Sequence, residues 1–377
     1  MTSGGGGGIR VFLVEDSPVF LHALCRALGA IPRVEVVGRA LNGKAALTKL
    51  QSIEADLITL DIEMPVMDGL SMLKELRKKP SMPVVLMLSS LTYEGAEATI
   101  EALQNGATDF ILKPSGPKPS ENLEYLKRVL AEKIHAIFPD SNPKDPRRTS
   151  LSHANRRRSS TMARYRNPYD RESGGSTGRG DPPRRGVSAV GIGISTGGPR
   201  ALLEVIPALP GDLPVPVFIV QHMPVGFTRS LADSLDAHSP LEVREAEDGD
   251  QVKPGTVYLA PGGLHMRITE RKRIRLTEDP PVKSFRPSVD YMFHSLCEAY
   301  GKDVLAVIMT GMGSDGLEGC RELHRKGARI LAQDEASSVV YGMPRVVIED
   351  GIADRILDPK GISEEIAATV TGEVAWN

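Results

Sequence analysis

Short, unbroken apolar runs alternate with helix-period segments along most of this chain, and no other feature limits its fold as strongly. The first runs are Ile9–Val14, Val34–Val37, Leu57–Leu60, Val84–Leu88 and Phe110–Leu112. Each is followed by apolar residues at helical spacing, as in Leu70, Leu73 and Leu76. Five strands alternating with five helices predict a parallel, doubly wound sheet. Ligands of such sheets sit beyond the C-terminal strand ends, so residues just after each run are the ones to examine.

The pattern stops at about Pro139 and resumes at Val187. The intervening residues 139–186 are rich in Arg, Ser, Pro, Asn and Gly. They hold eleven Arg and one Lys against four Asp and one Glu, a net charge of +7. Such a segment has too little apolar surface to fold alone and reads as a flexible basic linker. Its run Arg156-Arg157-Arg158-Ser159-Ser160 is the part with most attraction for an acidic surface. Residues 1–8 are mostly glycine and read as a tail, because they lack the charged and apolar regions of a signal peptide. Four segments follow: a tail over 1–8, a first domain over 9–138, a linker over 139–186 and a second domain over 187–377.

Beyond the linker, strands are expected at Val187–Ile194, Val215–Val220, Thr256–Leu259, Val304–Met309 and Arg329–Leu331. Helices are expected at Pro199–Leu209, Thr228–Ala237, Val289–Tyr300 and Leu317–Lys326, and a hairpin at Met266–Leu276. The fold class is therefore α/β with two doubly wound domains, the second mostly parallel with some antiparallel edge. With 41% hydrophobic and 25% charged residues, the chain has material for two cores. A net charge of −2 gives no general attraction to nucleic acid or an anionic membrane, and no apolar run of membrane-spanning length occurs. Three cysteines, Cys25, Cys297 and Cys320, without metal-ligand spacing point to a reducing compartment and no disulfide scaffold.

Glu15 and Asp16 follow the first run, Asp61 the third, and Ser89 and Lys113 end the fourth and fifth. One sheet edge gathers them all. Three converging carboxylates repel one another unless a cation lies among them, and hard oxygen ligands suit Mg²⁺. Asp61 can then attack a phosphoryl group, with Lys113 pairing to a phosphate oxygen. Ser89, or the adjacent Ser90, can bond the new phosphate, and Ser89 is preferred because it directly follows the strand. Val14-Glu15-Asp16-Ser17, Asp61 through Gly69 and Leu112-Lys113-Pro114 together resemble the receiver domains of response regulators.

In the second domain, Gly193-Ile194-Ser195-Thr196-Gly197 fits a nucleophile elbow between strand and helix. The helix start would offer free N–H groups to an oxyanion, although a plain anion-binding turn fits the same glycines. A dinucleotide fingerprint fails, because Thr196 stands where its third glycine is required. His222 ends the run Val217–Gln221 and so shares an edge with Ser195, with His265 as the main rival. His238, His294 and His324 fall in helices with polar neighbours and read as surface residues; His22, His135 and His153 belong to the first domain or the linker. Asp315 follows Val304–Met309 between glycines, placed to orient His222, to cap the helix Leu317–Lys326, or to do both. The order Ser, His, Asp differs from that of α/β-hydrolases.

Gln221-His222-Met223-Pro224, Ala260 through Met266, Arg286 through Asp290 and Thr310 through Gly316 look like the methylesterase domain of the CheB type. The resemblance implies hydrolysis of glutamate methyl esters on the cytoplasmic helices of chemoreceptors, with deamidation of receptor glutamines. It further implies Ser195 as nucleophile, His222 as general base, Asp315 as its orienting acid and the Met312 backbone N–H as an oxyanion contact. A histidine kinase would be the phosphodonor, Mg²⁺ would serve the receiver, ester hydrolysis would need no cofactor, and the protein would be cytoplasmic. The competing readings are a non-enzymatic, phosphorylation-controlled receptor-binding module and an adaptation enzyme of a pathway outside motility.

Overall fold

The computed structural model describes residues 8–79, 81–139 and 186–372, so nearly all of the glycine tail and the basic linker lie outside it. Every apolar run becomes a strand. The first sheet holds β1 (Ile9–Val14), β2 (Val34–Ala40), β3 (Leu57–Asp61), β4 (Val84–Ser89) and β5 (Asp109–Leu112). Its order is β2-β1-β3-β4-β5 with every pairing parallel. Helices α1 (Pro18–Leu28), α2 (Gly43–Lys49), α3 (Gly69–Leu76), α4 (Tyr93–Gln104) and α5 (Pro119–Ile137) make the connections. Four of them start where a short polar side chain accepts a free N–H: Ser17, Asn42, Asp68 and Thr92. The strand order reverses between β1 and β3, which puts the crevice where Asp16 and Asp61 emerge.

The second sheet has seven strands: β6 (Ala189–Ile194), β7 (Val217–Gln221), β8 (Glu242–Glu245), β9 (Thr256–Leu259), β12 (Val304–Ile308), β13 (Arg329–Gln333) and β14 (Arg355–Leu357). Their order is β14-β13-β12-β6-β7-β9-β8, again all parallel. The antiparallel part is a separate hairpin of β10 (His265–Ile268) and β11 (Ile274–Thr277), not an edge of the main sheet. The helices are α6 (Gly198–Val205), α7 (Phe227–His238), α8 (Val289–Tyr300), α9 (Leu317–Lys326), α10 (Met343–Glu349) and α11 (Pro359–Thr371). Strands β6, β7 and β12 are buried at every position, which is why they read as unbroken apolar runs. Burying each Val, Ile, Leu or Phe side chain there contributes roughly 1.5–3 kcal/mol. Because β6 lies between β12 and β7, the residues following all three emerge side by side.

Candidate active site and phosphoryl site

Ser195 is fixed through its backbone. Its N–H donates to the Thr310 carbonyl at 2.9 Å, and its own carbonyl accepts from Gln221 Nε2 at 3.0 Å and Gly198 N at 2.8 Å. Gly197, at φ 79°, then turns the chain into α6, a conformation that suits glycine because no Cβ clashes there. No side chain caps α6, so its first N–H groups face the turn that carries Ser195. Gly311, after β12, lets the turn bearing Met312 close on the same serine. A Cβ on Gly311 would stand 2.8 Å from Ser195 Cβ and 3.2 Å from Ser195 N.

His222 follows β7, with its N–H donating to the Ile194 carbonyl at 3.2 Å. Its Nε2 lies 2.8 Å from Asp315 Oδ2, while Nδ1 is buried with no hydrogen-bond partner among the described residues. The ring lies flat against Phe285, with centroids 3.9 Å apart and planes 5° apart.

Asp315 is 1% exposed and does not cap α9, whose N-cap is Gly316. It is gripped by the start of α8 instead. Ser288 Oγ donates to Oδ1 at 2.8 Å, Asp290 N to Oδ1 at 3.1 Å and Val289 N to Oδ2 at 2.7 Å. Burial alone would raise this carboxyl, but the bond from His222 and the backbone donors outweigh it and hold it at about 2. A permanent anion at Nε2 keeps the proton on that nitrogen and leaves Nδ1 as the acceptor.

Ser195 and His222 line one cavity of about 140 Å³, together with Thr196 and Pro224. Its opposite wall comes from the first domain: Phe110, Leu112 and Tyr125 among others. Ser195 is only 8% exposed, so the serine does not face open solvent. Phe110 stacks on Phe227 at the start of α7, with centroids 4.8 Å apart, and Gln104 Nε2 donates to Ser234 Oγ at 2.5 Å.

His265 stands apart from this cavity. It is fully buried, bonds the Pro280 carbonyl at 3.2 Å and stacks on Tyr291, and its burial disfavours the charged ring. His238, His294 and His324 are exposed, as expected; His153 lies outside the described residues. Sequence reasoning missed Ser288, Gln221 and Phe285. For Ser288 a signal existed: serine directly before an apolar helical run marks a helix start, and helix starts bind carboxylates.

In the first domain, ligand oxygens of Glu15, Asp16 and Asp61 all lie within 4.8 Å of one another. Lys113 Nζ sits 2.8 Å from Asp61 Oδ2 and 3.0 Å from Glu15 Oε2. Burial, then the charge of Asp61, pushes Glu15 up to about 7 against the pull of Lys113. Burial also raises Asp61, a shift that Lys113 opposes and Asp16 reinforces. Buried carboxylates pushed toward neutrality by one another form a donor set that fits a hard divalent cation. The two candidate switch serines point to different places. Ser90 lines the acidic cavity, whereas the Ser89 hydroxyl is buried, accepting from Thr99 Oγ1 at 2.7 Å and donating toward the Gly95 carbonyl at 3.2 Å.

Comparison with known proteins agrees with this division of labour. A family described as CheB methylesterase matches residues 190–366, and one described as response regulator receiver domain matches 11–123. A protein-glutamate methylesterase/protein-glutamine glutaminase of Desulfotalea psychrophila is 43% identical, covering 96% of this chain and 98% of its own length. The chain belongs to the protein-glutamate methylesterase/protein-glutamine glutaminase family. Another member, from Symbiobacterium thermophilum, is 43% identical over 96% of this chain and 97% of that one. The solved CheB methylesterase catalytic domain of Thermotoga maritima is 44% identical over 48% of this chain and 97% of that domain, with a TM-score of 0.47. The methylesterase match spans Ser195, His222 and Asp315, and the receiver match spans Glu15, Asp16, Asp61 and Lys113.

Proposed function

We propose that this methylesterase family member is a phosphorylation-controlled serine hydrolase acting on glutamate methyl esters of chemoreceptor cytoplasmic helices, with deamidation of receptor glutamines as its second activity. The observation that carries the chemistry is the His222–Asp315 bond, which leaves the other ring nitrogen unpartnered beside the cavity that Ser195 lines.

Ser195 Oγ attacks the ester carbonyl as His222 Nδ1 takes its proton. Asp315, anionic throughout, stabilises the imidazolium through Nε2. The developing oxyanion is met by the Met312 N–H and the start of α6, an arrangement in which one donor contributes roughly 2.7–4 kcal/mol. His222 returns the proton to the departing methanol. Water, deprotonated by the same nitrogen, then cleaves the acyl-serine and frees the glutamate. With glutamine the leaving group is ammonia. These steps use only side chains and backbone N–H groups of the chain.

Control rests on the first domain. Glu15, Asp16 and Asp61 would hold Mg²⁺, which supplies charge neutralisation for the phosphoryl group arriving at Asp61 from a histidine kinase. Lys113 pairs with a phosphate oxygen, and Ser89 leaves Thr99 to bond the phosphate. Because Thr99 belongs to α4, and α4 packs against α6 and α7, that exchange disturbs the surface covering Ser195. Interfaces of this kind are modest, so a bias of a few kcal/mol suffices to open one. The setting is the cytoplasm, where receptor helices and kinase meet the enzyme.

The test is methanol release from receptor membranes carrying labelled methyl groups. Wild type should release it, faster with acetyl phosphate and Mg²⁺, and Ser195→Ala should fall by roughly 10⁴-fold or more. Equal rates for wild type and Ser195→Ala would favour a receptor-binding module over an enzyme. Equal rates for the full chain, the phosphorylated chain and a truncated chain beginning at Val187 would remove the gating step.

A further inference from the structure

The turn Val282-Lys283-Ser284-Phe285 closes tightly on itself. Phe285 N donates to the Val282 carbonyl at 2.8 Å and Val282 N to the Phe285 carbonyl at 3.1 Å. Both central residues lie in left-handed backbone space, Lys283 at φ 49° and Ser284 at φ 72°. Two positive values in succession make the turn type that favours Asn-Gly, and neither residue here is Asn or Gly. Backbone strain of this kind persists where surrounding contacts over-determine the conformation.

Those contacts lead to the catalytic groups. Lys283 Nζ pairs with Asp290 Oδ2 at 2.8 Å and donates to the Ser314 carbonyl at 3.0 Å. Asp290 supplies one of the backbone N–H groups that hold Asp315, and Ser314 directly precedes Asp315. The next residue, Arg286, donates through its guanidinium to the Glu278 carbonyl at 2.8 Å and the Asp279 carbonyl at 3.2 Å. Between these two anchors stands Phe285, half-buried, with its ring parallel to that of His222 at 3.9 Å.

We propose that Phe285 is a positioning residue for the general base: its ring, clamped by the strained turn and the Lys283 anchor, holds the His222 imidazole in the one plane from which Nδ1 meets Ser195 Oγ while Nε2 keeps Asp315. The Cβ–Cγ bond and the Asp315 bond hold the two ends of the imidazole and leave rotation about the line between them. A flat ring along one face removes that freedom. It also shuts water from the face, so the proton taken from Ser195 stays on the ring until the leaving group needs it. The stack acts on the plane, not on bulk, so an aromatic should replace Phe285 and an aliphatic of similar size should not.

This inference rests on the reading of His222 as base, and the test separates the two. Full-length wild type, Phe285→Tyr, Phe285→Leu and Phe285→Ala are assayed for kcat and KM in methanol release. Each is also assayed for the rate at which phenylmethanesulfonyl fluoride labels Ser195, which needs the base but no receptor. Phe285→Ala and Phe285→Leu should lose roughly 10- to 100-fold in kcat and in labelling rate, the scale of a small misplacement of a reacting group, with KM nearly unchanged. Phe285→Tyr should stay close to wild type. Should Phe285→Ala fail to fold, the Leu and Tyr variants decide alone. Leu matching Tyr, or a loss confined to KM, would overturn the positioning role. If Ser195→Ala still releases methanol, the esterase reading fails, while the labelling series still reports on Phe285.

Discussion

Asp61 ends strand β3 and Asp315 lies in the connection from β12 to α9, and both are almost fully buried at 3% and 1% exposure. Their carboxyls are driven in opposite directions. Asp61 shares its pocket with Glu15 and Asp16 and has one cationic partner, so burial wins and its carboxyl rises. Asp315 receives two backbone N–H groups, a hydroxyl and an imidazole, and is held at about 2. The difference lies in donors rather than in depth. A carboxylate satisfied by fixed dipoles is a permanent part of the machine. One crowded by like charge waits for something positive, and only the second kind suits a switch.

Removing the permanent charge should have the largest effect. Asp315→Asn should lower methanol release by roughly 10⁴-fold, the scale seen when an orienting carboxylate becomes a neutral amide. The same change should appear in stability. Asp315 sits at about 2 when folded against an ordinary 3.8, so its contribution is complete above pH 3.8 and is lost as pH falls through 2. Urea unfolding should therefore show wild type ahead of Asp315→Asn by on the order of 2 kcal/mol near pH 5, the gap narrowing as the acid range is entered. An equal gap at pH 5 and pH 2.5 would break the contrast between the two aspartates.

The waiting site should respond to pH with the opposite sign. Glu15 is raised from 4.5 to about 7, so its contribution is complete below pH 4.5 and is lost as pH rises through 7. Mg²⁺ favours the ionised form, so added Mg²⁺ should raise Tm by several degrees at pH 8 and far less at pH 5.5. Glu15→Gln should flatten that dependence. A Mg²⁺ shift that is equal at both pH values would show that the cluster does not take the cation through an ionised Glu15.

The smallest effect should come from the wall between the two sites. Phe110→Ala removes a stack worth roughly 0.5–1.5 kcal/mol, so unphosphorylated activity should rise between about 2- and 10-fold, with phosphorylated activity nearly unchanged. Unaltered basal activity would mean that the Phe110–Phe227 contact plays no part in covering Ser195.

Reading the fold from sequence succeeded where burial was symmetric. Strands buried on both faces leave an apolar run, and α8 and α9 carry clear end signals, Ser288 at the start of one and Gly327 after the other. It failed where strands were short or polar. In β8 only Val243 is buried among Glu242, Arg244 and Glu245, and β14 has three residues, so neither left a pattern. Helices α10 and α11 went unread as well, whereas the hairpin forms as expected and stands apart from the main sheet.

The sequence alone determined which residue types follow which strands. In a parallel sheet that is enough to bring Ser195, His222 and Asp315 to one edge and Glu15, Asp16, Asp61 and Lys113 to another. Only the tertiary structure decided what surrounds them: the start of α8 around Asp315, the Phe285 ring on His222, and the wall of Phe110, Leu112 and Tyr125 over Ser195. The physical reason is range. Strand ends are set by local periodicity and sheet order, whereas helix dipoles, ring stacking and coverage arise between segments whose meeting no local pattern encodes.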